Sequence, residues 1–425
     1  MKSFERYMQA CVEAQQFSGA VLLACAGEPI FCAAYGMADI ERAIANSPST
    51  KFRLASLTKQ FTAMAILLLQ ESKRLNVEDQ VSKHLSNAPR HWRDVTIEHL
   101  LRNTSGLTDF TGLPDFEQFR KFERRTAEDT IASFKDKPLE FAPGEKFAYS
   151  NSGYNLLGVI IENVSGLAYD EFLKARIFEP LAMKDSGMDN FKSPAANRAL
   201  GYIRTSEALK YNEVDDRGWP YSSGGLYSTV SDMLAWEKAL QNASLVPKAQ
   251  MKAMFTPGLG GYGYGWFINR ARGRKVIMHA GGIEGFTTHM ERIPAKKLCA
   301  VVLSNIEAFS VDVIAGDLSA IALGEPYALP KVRRPIAVDM TNCRRYLGRY
   351  QLAPELIVTV SAEGDKLFVQ VSGQSKFDLY PATESEFFTI ALDCQITFHE
   401  NARKKVTHLI IHQHQKQFKA GRLKE

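Results

Sequence analysis

At 425 residues, with 45% hydrophobic residues and mixed charge, the chain has material for a sizeable core and is too long for one small domain. Its net charge is +5, and residues 331–425 carry all of that excess, with 15 Lys and Arg against 10 Asp and Glu. Such a mild surplus excludes a dense nucleic-acid-binding surface, and the longest apolar run, 63–69, is too short for a membrane span and is broken by Gln70 and Glu71.

The six cysteines, Cys11, Cys25, Cys32, Cys299, Cys343 and Cys394, form no Cys-x-x-Cys pair and no cluster with His. A zinc site is not expected, and scattered cysteines suit a reducing compartment. The opening Met1-Lys2-Ser3-Phe4-Glu5-Arg6-Tyr7 lacks the apolar run of a secretory signal. A cytoplasmic protein is expected. A periplasmic or extracellular chain whose signal had been removed would read the same way.

Residues 3–15 read as a helix, and 17–26 with 29–38, joined at Gly27-Glu28, as a β-hairpin. A second helical stretch opens at Ser56. Its Phe61, Met64, Ala65, Leu68 and Leu69 recur at helical spacing and face a core. A short helix starts over 76–81, with Val81 and Leu85 inward. Another spans 96–101, with Gly106 placed as its C-terminal stop. Residues 109–140 are charged and aromatic without a clean period, and read as a surface excursion near the site mouth. Helices follow over 155–163, ending at Gly166, and over 170–182. The loop 224–232 feeds a helix through Met233, Leu234, Trp236 and Leu240, capped by Ser231 or Asp232. From residue 262 the period is that of strands, at 262–269, 275–279, 286–293 and 298–304, before a helix over 311–323.

A hairpin at one end of this region, strands at the other and helices between predict an α/β (α+β) fold. One antiparallel sheet is built from both chain ends, with helices on its faces. Three prolines mark 325–335 as a linker. Beyond it, short apolar runs at 356–360, 366–371, 377–380, 387–390, 395–398 and 406–411 alternate with turns, which predicts a small antiparallel β-barrel or sandwich. The expected division is residues 1–325, a linker over 326–340, and a C-terminal barrel over 341–425.

Ser56 and Lys59 stand three apart at the head of an apolar helix, so the hydroxyl and the amine share one face. It is the only Ser-x-x-Lys in the chain. Burial lowers an amine's pKa, and an amine near neutrality can take a proton from a Ser hydroxyl. Taken singly, the same pattern fits an N-cap Ser followed by a surface Lys. Tyr149-Ser150-Asn151 is the only Tyr-x-Asn. Its phenol, beside a Lys ammonium, is expected to have a lowered pKa. Asn151 can offer a donor and an acceptor to a substrate amide, and a core Tyr tied to backbone is the plainer reading of Tyr149. His279-Ala280-Gly281-Gly282 ends a strand, and its glycines let backbone N–H groups approach a ligand. The plainer reading is a strand end with His279 on the surface.

Together and in this order, these three stretches resemble the motifs of the penicillin-binding protein and serine β-lactamase superfamily, in which Ser-x-x-Lys accompanies Ser-Asp-Asn and Lys-Thr-Gly. Tyr-Ser-Asn is the form of class C β-lactamases, the DD-peptidases of that branch, D-aminopeptidases and family VIII esterases. Leu100-Leu101-Arg102-Asn103-Thr104-Ser105-Gly106-Leu107, residues 144–155, and Gly224-Gly225-Leu226-Tyr227-Ser228-Thr229 are similar to the same branch. The likeness covers residues 10–325, and the tail from about residue 343 is similar to the lipocalin-like barrel appended to some members.

The resemblance implies Ser56 as nucleophile, Lys59 as its proton partner and Tyr149 as general base and acid. It implies Asn151, His279 and Gly281 at the substrate, and an oxyanion hole from the backbone N–H groups of Ser56 and Gly282. Which of Lys59 and Tyr149 carries the proton in each half-reaction stays open. No metal or organic cofactor is implied, and the partner is a small-molecule or short-peptide substrate. His279 stands where β-lactam-binding members carry a Lys that grips a carboxylate. A mostly neutral His grips it less strongly. The expected activity is therefore an acyl-enzyme serine hydrolase of esters, amides or short D-amino-acid peptides. One alternative is a penicillin-binding DD-peptidase or weak β-lactamase. Another, of a different class, is a non-catalytic protein whose barrel holds a peptide or lipid.

Overall fold

A computed structural model describes residues 1–119, 126–189, 196–204, 209–212, 218–307, 311–330, 332–333, 335–373, 376–389, 394–413 and 416–423. Parts of three sequence expectations lie outside these residues: 120–125 of the excursion, positions 331 and 334 of the linker, and Ile390 of a barrel strand.

The N-terminal hairpin and the late strands join in one antiparallel sheet. Its strands are β1 (Gly19–Cys25), β2 (Glu28–Tyr35), β3 (Phe267–Ala271), β4 (Arg274–Ile283), β5 (Phe286–Ile293) and β6 (Leu298–Ser304). The spatial order is β3-β4-β5-β6-β1-β2, so β1 sits beside β6, with Val21 opposite Val302. Both strands are apolar throughout because both of their faces are covered. Ala20 and Leu22 of β1, with Val301 and Leu303 of β6, face the larger core. Val21, Leu23, Ala300 and Val302 face the smaller one. Helices α1 (Lys2–Glu13) and α6 (Val311–Ala322) close the smaller core with Tyr7, Met8, Cys11, Ile314 and Leu318.

The larger core is built on α2 (Thr58–Glu71), flanked by α3 (Ile97–Leu101), α4 (Asn151–Ser165) and α5 (Val230–Asn242). Every residue of α2 from Thr58 to Leu69 is buried. A helix apolar nearly all round belongs in the centre of a protein, and here it holds Lys59 there. The fold is thus the expected one: an antiparallel sheet with helices on both faces. Among the described residues, no helix is long and apolar enough to cross a membrane.

Several local expectations change. Val81 and Leu85 are buried, but the helix there is a single tight turn, Val81–Lys83. Helix α3 stops before Gly106, at Asn103, whose φ is 56°; Asn tolerates this left-handed conformation. Gly106 instead allows a close approach, since a Cβ there would sit 2.2 Å from the Phe141 carbonyl. The cap of α5 is Thr229, which accepts from the Asp232 amide. The 170–182 helix is the shorter Tyr169–Leu173 followed by a wider turn, Lys174–Phe178. β3 starts only at Phe267, because the chain turns at Gly265, whose φ is 77°, with the Gly263 amide donating to Trp266 O at 2.8 Å. The excursion is also anchored, with Phe110, Thr130 and Phe134 buried.

The C-terminal region is a closed antiparallel barrel of eight strands. Six are the apolar runs named above. The other two, Gly348–Ala353 and Lys416–Arg422, pair with each other through Tyr350 and Arg422 and close it.

Candidate active site

Ser56 lies in a tight turn, Ala55–Leu57, between the two-residue strand Phe52–Arg53 and α2. From Phe52 to Leu69 it is the one residue that is not buried. Ala55 holds a left-handed φ of 48°, a conformation that costs a non-glycine residue about 1–3 kcal/mol. The surroundings enforce it. The Leu54 amide donates to Leu226 O at 2.7 Å, and the Leu54 carbonyl accepts from the Thr288 hydroxyl of β5 at 2.8 Å. Gly281 of β4 lies against the same turn. A Cβ there would come 2.4 Å from Leu54 O and 3.1 Å from the Ala55 Cβ.

One turn into the helix, Lys59 donates to three acceptors. They are Ser56 Oγ at 3.1 Å, Asn151 Oδ1 at 2.8 Å and the Ser223 carbonyl at 2.8 Å. Its side chain is fully buried. Burial pushes the amine down to about 7, with the Asp109 carboxylate pulling the other way. This is the lowered pKa that the sequence predicts.

Tyr149 is half-buried. Its ring stacks on Phe267 at 6.4 Å between centroids and at 11°. Lys59 Nζ lies 4.8 Å from the ring centroid, so the cation meets the π-face and its three N–H donors turn elsewhere. The phenol pKa is raised, not lowered. Burial is the main cause, the Asp109 charge adds to it, and a hydrogen bond with Ser56 offsets part of it. That corrects the expectation of an accessible phenolate.

Asn151 opens α4. Its oxygen is taken by Lys59, and its amide nitrogen donates to Thr111 Oγ1 at 3.2 Å and Asp109 Oδ2 at 3.4 Å. Both ends of the side chain are thus engaged within the protein. The Asp109 carboxylate also accepts the Asn151 backbone N–H at 2.9 Å, at a helix N-terminus where a negative charge is favoured.

His279 is buried on β4 at 2% exposure, not on the surface. Its Nδ1 contacts the Ala280 carbonyl at 2.7 Å and so donates, leaving Nε2 to accept from the Tyr262 hydroxyl at 3.0 Å. Burial, reinforced by the Lys59 charge, pushes the imidazole down to about 3. His279 therefore packs behind Tyr149, 6.0 Å between centroids, with both nitrogens engaged inside the protein. Gly282 is exposed, and nothing lies within 4 Å of a Cβ built on it. Among the described residues, β4 beyond Met278 pairs with β5 alone.

The structure therefore brings Ser56, Lys59, Tyr149, Asn151 and Gly281 together around one turn. Three residues the sequence reading passed over complete it: Asp109, Thr111 and Ser223. Asp109 stands two residues after the Asn103–Leu107 stretch, and Ser223 precedes Gly224-Gly225. Their nearness to those stretches was the available signal.

The chain matches the family model described as Beta-lactamase over residues 4–323. A second model, described as Domain of unknown function (DUF3471), matches residues 332–424. The chain is 30% identical over 423 residues to penicillin-binding protein 4* of Bacillus subtilis (strain 168), covering 93% of each chain. A solved penicillin binding protein from Bacillus halodurans is 30% identical with a TM-score of 0.68, over 74% of this chain and 99% of that one. The octameric penicillin-binding protein homologue from Pyrococcus abyssi is 26% identical with a TM-score of 0.70, over 98% and 99%. The chain belongs to the beta-lactamase family, a family of hydrolases in which penicillin-binding proteins are its relatives.

Proposed function

We propose that the chain is a serine hydrolase that forms an acyl-enzyme on Ser56 and acts on esters and amides that carry no carboxylate, including those of D-amino acids. The observation that carries this reading is the 3.1 Å hydrogen bond between Ser56 Oγ and a buried Lys59 amine held at a pKa of about 7. At neutral pH about half of such amines are unprotonated.

In the proposed cycle, neutral Lys59 takes the Ser56 proton as Oγ attacks the carbonyl carbon. The oxyanion is met by the backbone N–H groups of Ser56 and Gly282. The C–O or C–N bond breaks, and the leaving alcohol or amine takes a proton from the Tyr149 phenol, which Lys59 then reprotonates through an intervening water, since its own donors do not face the phenol oxygen. Water attacks the ester, gives its proton to Lys59, and Ser56 leaves with that proton. The raised phenol pKa supports Tyr149 as proton donor and Lys59 as base. Asn151, in this reading, first holds the amine.

The preference for substrates without a carboxylate follows from His279. A buried, neutral imidazole gives a substrate carboxylate no cation to pair with. Penicillins carry that carboxylate. Penicillin acylation, suggested by the name of the Bacillus subtilis relative, is the second reading, expected to be slow.

A fluorescent fluorophosphonate should label the full chain once, and Ser56→Ala should abolish the label. No labelling of the parent protein would point to a non-catalytic binding role. Short p-nitrophenyl esters and D-amino-acid amides should be turned over with higher kcat/KM than cephalosporins; the reverse order would overturn the substrate assignment.

A further inference from the structure

The barrel is filled unevenly along its length. At one end Tyr346 stacks on Phe398 at 4.2 Å and sets its edge against Phe387 at 5.6 Å between centroids. Its hydroxyl donates to the Glu384 carbonyl at 2.9 Å. These rings plug that end.

The other end holds a cavity of about 200 Å³ lined by Val369, Val371, Ile396 and Ile411, with Cys394 beside them. The further lining residues Leu356, Phe377, Thr389, Gln413 and Phe418 all flank inter-strand connections at this one end. These are the connections after Ala353, Val371, Thr389 and Gln413. The cavity therefore lies at the end opposite the Tyr346 plug. Leu356 and Phe418, at that rim, are each 41% exposed. Lys416 stands across from Gln413 in the ladder.

We infer that this cavity binds the hydrocarbon tail of a single-chain amphiphile, its polar head at the Thr389–Gln413 rim. An eight-stranded barrel is wide enough either to be filled by its own side chains or to hold one small ligand. This one is filled by its own rings at the Tyr346 end and is open at the other. An aliphatic cavity of about 150 Å³ stays dry and accepts benzene, so the slightly larger space here suits a tail of about six to eight carbons. Binding would also cover the exposed apolar rim. Lys416 and the basic excess of residues 331–425 favour an anionic head, as in a medium-chain fatty acid. The inference does not depend on the chemistry at Ser56.

Alkanoates from butanoate to decanoate, titrated calorimetrically into the full chain, test it. The expected result is one saturable site. Affinity should rise about fourfold per added CH₂ until the tail fills the cavity near octanoate, then level off. Val369→Phe and Val371→Phe should each weaken octanoate binding at least tenfold, with circular dichroism and hydrolysis of p-nitrophenyl acetate confirming that the variant is folded. Blocking Ser56 with a fluorophosphonate should leave octanoate binding intact. No saturation by any chain length, undiminished binding in both folded Phe variants, or loss of binding on blocking Ser56 would each overturn the inference.

Discussion

The Lys59 amine donates to the Ser56 hydroxyl across 3.1 Å from a side chain that water does not reach. A charged ammonium is costly there, and the neutral form is an effective base. The rate of Ser56 acylation should therefore climb as pH rises through about 7, with a single ionisation on the acid side of kcat/KM for a p-nitrophenyl ester. Lys59→Met should lose about 10²–10⁴-fold in rate. A flat profile from pH 5 to 9 would contradict the assignment.

The same group links stability to pH. Unfolded, a Lys titrates near 10.4; folded, Lys59 titrates near 7. Between those values the folded chain binds fewer protons, so the Lys59 contribution to stability grows as pH rises from about 7 to about 10 and is absent below that window. Urea unfolding at pH 7, 8.5 and 9.5 should show that rise in the parent protein. Lys59→Met should remove the share owed to this residue. Equal pH slopes in the two proteins would count against it.

Asp109 positions the amine's partner, since its carboxylate accepts the Asn151 N–H at 2.9 Å and its charge raises the Lys59 pKa. Asp109→Asn removes the charge and keeps the size. The acid limb of the pH–rate profile should then move to lower pH, the direction opposite to that of a general loss of structure. The fold should lose about 1–3 kcal/mol from weakened charged hydrogen bonds. An unmoved limb would reduce Asp109 to a structural cap.

Tyr149→Phe keeps the ring against Phe267 and His279 and removes only the phenolic proton. Amides, whose nitrogen must be protonated to leave, should lose about 10²–10⁴-fold. p-Nitrophenyl esters, whose leaving group departs as an anion, should lose far less. Equal losses on both substrate types would argue that Tyr149 acts before the leaving step.

These contacts also show what the amino-acid sequence could and could not reveal. Ser56 and Lys59 are legible because a helix fixes which residues share a face. The strands β1 and β6 are legible because burial on both faces leaves them wholly apolar. Asp109, Thr111 and Ser223 are not. They reach the site through a few hydrogen bonds from segments whose own pattern is polar or irregular, and they lie 40–164 positions along the chain from their partners. The helix stop at Asn103 is hidden by Gly106, a more usual left-handed residue whose place is against the Phe141 carbonyl. Lys416–Arg422 escapes the pattern because Lys416, Lys419 and Arg422 leave no apolar alternation and only Ala420 is buried. The direction of the Tyr149 shift is not legible in the sequence, since it depends on how deeply the phenol is buried and on the Asp109 charge beside it.

The two glycines at the end of β4 should respond to substitution in opposite ways. A Cβ on Gly281 would lie 2.4 Å from the Leu54 carbonyl and equally near the Thr288 hydroxyl. One obstacle is backbone, and the turn that carries Ser56 would have to shift. Gly281→Ala should cost about 1–3 kcal/mol by overpacking and lower acylation at least tenfold, because displacement of Leu54 carries Ser56 off the Lys59 amine. Gly282→Ala adds its methyl to open space, keeps the backbone N–H, and should stay within about 0.5 kcal/mol of the parent. Its effect should fall on KM for bulky esters more than on kcat. Denaturant unfolding and steady-state kinetics of the two variants side by side decide the matter. A Gly281→Ala protein of parental stability and activity would mean that the Ser56 turn is not held by β4.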